Sequence, residues 1–171
     1  MMLGLSLSTF TWVHTALSLI ALVAGIVVVI GLLAGRRFDG WIALFLLTAV
    51  LTSVTGFGFP FDKFLPSHWT GVVSLVVLAM SILAIYVFRA SGLWRWIFAV
   101  TAVIGLYLDA FVAVVQAFIK LPALNALAPT QTEAPFLIAQ GVLLVIFVAL
   151  AIAAAIRFHP DLKAAAAQRV T

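Results

Sequence analysis

The chain has no cysteine and very little charge. Without cysteine it forms no disulfide, no thiolate metal site and no cysteine nucleophile, and its redox compartment leaves no mark. Charged residues are 8% of the 171, against about a quarter in ordinary soluble domains, so a water-facing surface all round is excluded. Acids are scarcest, five against nine Lys and Arg. The +4 excess is dispersed among apolar runs and not gathered into a basic stripe with interleaved aromatics, so no nucleic-acid partner is expected. Also missing are GxGxxG, the P-loop, HExxH and GxSxG. These absences lean the reading away from an enzyme without deciding it, and no catalytic residue is assigned. Strict apolar–polar alternation, the mark of a membrane β-barrel, is absent as well.

What is present is hydrocarbon: 66% of residues are hydrophobic, and the mean hydropathy is +1.32. Five apolar runs, 9–35, 40–58, 68–89, 93–119 and 133–157, each approach the ~20 residues that cross a bilayer as a helix. Ser8, Asp39, Ser67, Ser91 and Thr132 stand ahead of them as N-caps. The expected fold is an all-α integral membrane protein, one domain over 1–171 with five transmembrane helices and the lipid bilayer as its main partner.

Basic residues orient it. Arg36, Arg37, Arg89, Arg95, Arg157, Lys163 and Arg169 fall on one side of five alternating helices, and Lys63 and Lys120 on the other. The positive-inside rule then places the N-terminus outside and the C-terminus in the cytoplasm. Compactness and this charge bias suggest a bacterial inner membrane. No basic stretch precedes the first run and Arg36-Arg37 follows it, so it reads as a retained helix and not a cleaved signal. There is also an internal repeat: Arg36, Trp41 and "TAVL" (48–51) recur 53 positions later as Arg89, Trp94 and "TAVI" (101–104), and His14 matches His68 at 54. The first four helices read as a duplicated two-helix hairpin, to which the fifth is added.

The polar residues gather toward the outer half. Measured from Arg36 and Arg89 at about 1.5 Å per residue, His14 and His68 share one depth near the outer boundary, and Asp109 lies about 10 Å deeper. Asp109 and Gln116 are spaced i,i+7, as are Glu133 and Gln140, and Thr48, Thr52 and Thr55 share a face. Most of the small and hydroxyl residues are expected to be packing glue between helices. Asp109 is different, because a charged carboxylate in lipid costs several kcal/mol and must face protein, face water or stay protonated. With Gln116, Gln140 and Tyr107 it is the candidate buried polar, proton-handling group. His14 and His68 are the candidate ligand or cofactor site.

Two imidazoles at equal depth on parallel helices have the geometry of axial haem ligands, with Gly71 and Ala21 leaving room for a flat macrocycle. The arrangement is similar to small haem b membrane bundles, though their second, deeper histidine pair is missing. Residues 121–131 are expected to form a short interfacial segment over the outer mouth. Three functions follow: an accessory subunit or small-ligand-binding membrane protein with an outward-facing polar pocket; a haem b- or quinone-linked redox protein using His14 and His68; and a proton-coupled transporter or channel using Asp109. The partner is then another membrane protein or a second copy of the chain, and no metal site is assigned.

Overall fold

The computed structural model describes residues 6–59 and 66–159. Among these every regular element is helical. The helices are α1 (Leu7–Leu33), α2 (Asp39–Gly56), α3 (Pro66–Ile82), α4 (Leu93–Lys120), α5 (Pro122–Leu127) and α6 (Ala134–Arg157), and a π-helical turn, Leu83–Val87, extends α3. Five of these segments are long and apolar enough to cross a membrane: α1, α2, His68–Val87, α4 and α6. They match the five apolar runs to within about two residues at each end, the usual uncertainty of a helix boundary.

The ends are set differently from the sequence expectation. Ser6, not Ser8, caps α1: its Oγ accepts the Thr9 N–H at 3.1 Å. Asp39 is the first residue of α2 and pairs with Arg37, without capping the helix through its side chain. The Ser91 hydroxyl donates back to the Phe88 carbonyl, and Gly92, at φ 52°, begins α4. Glu133 stands at the α6 cap, where Thr132 was expected. At the α1–α2 turn Gly35 takes φ 63°, and the Arg36 N–H reaches the Gly31 carbonyl at 2.8 Å. This left-handed closure satisfies helix-end carbonyls and suits glycine.

The helices α1, α2, α3 and α4 pack in a ring, each touching the next, and α6 lies outside against α4 and α1. The arginine-bearing ends of all the long helices gather at one end of this bundle, here the arginine end. The half of the bundle toward that end is solid. Ala24, Val28 and Leu32 of α1 meet Phe45 of α2, Leu78 of α3, Phe98 and Leu106 of α4, and Phe158 beyond α6, all essentially buried.

Two glycines permit the tightest crossing. A methyl group on Gly25 would come 2.6 Å from Leu106 Cδ1 and 3.0 Å from the Phe45 ring. One on Gly105 would lie 3.3 Å from Leu78 and 3.5 Å from Phe45. Small residues at such crossings let backbones approach, which matters where lipid removes any hydrophobic drive between helices. The outward faces are hydrocarbon: Val23, Ile26 and Ile30 on α1, Val76 on α3, and Val145 and Ile152 on α6 are all exposed. That surface is compatible with an integral membrane protein.

Candidate functional site

Toward the opposite end the ring opens around a cavity of about 670 Å³. Its wall is built from the N-terminal turns of α1 and α3 and the C-terminal turns of α2 and α4. Each helix supplies polar groups: His14 and Ser18 from α1, Thr52 from α2, His68 and Ser74 from α3, Asp109 and Gln116 from α4, with Lys120 beyond them. On α4, Asp109, Gln116 and Lys120 follow i,i+7,i+11 spacing, so one stripe descends the wall over about 16 Å. Below Asp109 the Gly25–Leu106–Phe45 crossing closes the floor.

His14 is fixed by α2. Its Nδ1 lies 2.8 Å from Thr55 Oγ1, while the Thr55 hydroxyl also lies 2.7 Å from the Leu51 carbonyl. That hydroxyl has one proton, which serves either the Leu51 carbonyl or the imidazole, so the His14 tautomer and the Thr55 rotor are set together. Phe59 stands edge-on to the ring at 5.1 Å between centroids. His68 is buried, with the Phe57 ring tilted against it at 5.6 Å.

Most hydroxyl groups in the helices are satisfied locally. Thr11, Ser18, Thr48, Ser53, Thr55 and Thr101 each donate to a carbonyl four residues earlier. This is what packing residues do in apolar surroundings. Thr52 breaks the habit: its Oγ1 is buried with no hydrogen-bond partner. The same is true of Asp109 Oδ2, which no donor among the described residues reaches. Both residues line the cavity. Buried polar atoms are rarely left unmatched, and Ser81 Oγ, Arg95 Nε and Gln140 Oε1 share this condition away from the cavity.

Of the six residues singled out in the sequence, the cavity brings together His14, His68, Asp109 and Gln116. Tyr107 and Gln140 lie elsewhere. Tyr107 is two residues from Asp109, about 200° around the helix, so it points to the other side of α4. There its ring packs against Phe111 and Phe147, beside an apolar groove of about 500 Å³ between α4 and α6. Gln140 ties α6 to α4 by donating from Nε2 to the Phe111 carbonyl at 3.2 Å.

Two further expectations change. Ala21 is fully buried in the apolar core, and the space over Gly71 is filled by Phe57, 3.1 Å from where a Cβ would stand. Neither makes room for a macrocycle. The segment after α4 does form the short helix α5, but it packs over Phe118 and Phe136 on the α6 side, and of its approach only Leu121 lines the cavity. Phe57 and Phe59 themselves come from the "GFGFP" turn, where no periodicity announces them. Lys63 lies outside the described residues. Among those residues no three His, Asp or Glu side chains converge as a metal site. No family model, curated protein or solved structure matches this chain.

Proposed function

We propose that this is an integral membrane protein of five transmembrane helices whose outward-opening cavity binds a small ligand without chemical turnover, alone or as the accessory subunit of a membrane complex. The cavity carries this reading: four helices each deliver polar side chains to one blind pocket, and two of those side chains keep buried oxygens unmatched. Ligand sites have this character, mostly apolar walls with a few placed polar groups. The charge bias gives the orientation, with the N-terminus outside, the C-terminus cytoplasmic and the bacterial inner membrane as the location.

The duplicated hairpin belongs to the same proposal, and burial supports it. At the 53-residue offset, Gly25, Val28, Gly31 and Leu32 of α1 correspond to Leu78, Ser81, Ala84 and Ile85, all buried. Phe45 and Phe98 are likewise both buried, and Thr48 and Thr101 make the same pair of bonds, to the carbonyls four and three residues back. On the cavity wall the two halves share the histidines but differ at Asp109, which corresponds to Gly56. One half supplies the acid and the other supplies space.

The absence of cysteine makes the test direct. Ser18→Cys or Ser74→Cys, in the cysteine-free chain, should react with a membrane-impermeant maleimide applied from outside, and Ala24→Cys in the core should not. Silence at both cavity positions would sink the pocket. The haem reading has the two histidines on one cavity in its favour, but Phe57 and Phe59 stand against the imidazoles and would both have to move. A Soret band from haem-replete, detergent-purified protein would revive it. A transporter using Asp109 needs a path through the floor beneath it, and that floor is packed side chain against side chain.

A further inference from the structure

We infer that the cavity receives its ligand sideways from the bilayer, through a gap between α1 and α4, and that this ligand is a hydroxyl-bearing aromatic amphiphile of the phenol or hydroquinone class, seated with its hydroxyl against the Asp109 carboxyl. The inference rests on the pocket reading above and adds the route and the ligand chemistry.

The route follows from where the cavity wall meets the outer surface. α1 and α4 touch at Gly25 and Leu106. From there toward the histidine end both helices line the cavity, and two of its lining residues, Leu19 on α1 and Val112 on α4, are 57% and 36% exposed. Leu19 lies about 18 Å along α1 from its first residue, and Val112 about 12 Å from the end of α4. The gap is therefore well inside the apolar length of both helices. Its flanks, Ile20, Val23 and Ile119, are exposed hydrocarbon. Toward the arginine end α6 covers this seam, with Ala154 and Leu150 in the common core. Toward the histidine end α6 packs instead with Phe136 against Phe118, on another face of α4. A water-soluble ligand has no use for such a side door, but a lipid-dissolved one does.

The chemistry follows from the unmatched carboxyl oxygen. Asp109 brings a carboxyl to an otherwise largely apolar wall, and none of the described residues donates to its Oδ2, so the group it calls for is a donor such as a hydroxyl. Phe57, Phe59, Leu22 and Leu108 supply the apolar wall against which an aromatic ring packs, and the gap leaves a passage for an alkyl tail.

The experiment uses the full chain carrying Ser74→Cys in lipid nanodiscs, with maleimide labelling as the clock. A decyl-substituted para-hydroquinone dissolved in the lipid should slow labelling by about tenfold, and its dimethyl ether, which keeps shape but donates nothing, should lose that protection almost wholly. Asp109→Leu should also abolish protection by the hydroquinone. Paired Leu19→Trp and Val112→Trp substitutions should slow the onset of protection relative to the parent. Equal protection by the ether would overturn the hydroxyl seat, and the comparison is made on one protein, so it stands even if a variant fails to fold. Labelling that proceeds from water but is protected by no lipid-dissolved probe would overturn the bilayer route and leave the pocket intact. No labelling at all would overturn both.

Discussion

His14 Nδ1 and Thr55 Oγ1 lie 2.8 Å apart, and this hydrogen bond joins α1 to α2 beside the cavity. Thr55 Oγ1 also lies 2.7 Å from the Leu51 carbonyl, so its one proton is shared between two acceptors in reach. The imidazole is thereby held in one orientation. The two helices it joins are also those that the sequence pairs as the first hairpin.

Thr55→Val should remove the acceptor while keeping the shape. Nitrogen-15 NMR of His14 should then show a changed balance of the two tautomers. Stability should fall by about 0.5–1.5 kcal/mol, the range for one interhelical bond in a membrane protein. An unchanged ring spectrum would show that Thr55 does not set the tautomer.

Asp109→Leu should not weaken the fold. Oδ2 has no donor among the described residues, so the change removes a buried polar atom without orphaning a partner. Resistance to unfolding in detergent should stay level or rise by about 1–3 kcal/mol. A clear loss of stability would mean that the carboxylate holds the helices together, the structural role that a buried acid in such a sequence first suggests.

Gly25→Val should cost about 1–3 kcal/mol through overpacking against Leu106 and Phe45. Gly141→Ala is the control, since nothing lies within 4 Å of its added methyl, and it should be neutral or slightly stabilising. Equal effects in a thermal-shift series would show that the α1–α4 crossing is not tight.

Glu133 governs the start of α6. Partial desolvation pushes its carboxyl up, but hydrogen bonds from the Thr130 hydroxyl, its own N–H and the Thr130 and Thr132 N–H groups hold it below the ordinary glutamate value. A depressed carboxylate contributes stability that is complete above the unfolded value and is lost as pH falls through the folded one. Amide exchange at Thr130 and Thr132, in the turn leading into α6, should therefore accelerate in acid. Glu133→Gln should flatten that dependence, and a pH profile identical to the parent would remove this role.

Reporter fusions after Arg37 and Arg95 should report cytoplasm, and one at Thr130 the outer side. The reverse pattern, or an even number of crossings, would contradict the orientation read from the arginines.

How much of this was written in the sequence differs by residue. The five long helices were plain, because runs of 18 or more apolar residues admit few other structures. Asp109 and Gln116 were correctly paired, since i,i+7 spacing fixes a shared face whatever surrounds it. Tyr107 misled because neighbours in sequence diverge on a helix. Gln140 is buried, as expected, but off the cavity, because depth along a helix says nothing about which side of α4 that helix will occupy. Phe57 and Phe59 were invisible, since a turn carries no period and their positions depend on the imidazoles they meet. The α1–α4 gap could not be read either, because it arises from where α6 stops covering the seam.

The crossing at Gly25, Leu106 and Phe45 has a mechanical consequence. It divides α1 and α4 into two lever arms about a fulcrum, with a packed mass of side chains on one arm and a cavity on the other. A molecule wedged into the open arm would pry the helices apart there, and the stiff arm would turn that into a tilt of α1 against α4 at the arginine end. Occupancy on one side of the membrane would thus be felt on the other as a change of angle, with nothing passing through.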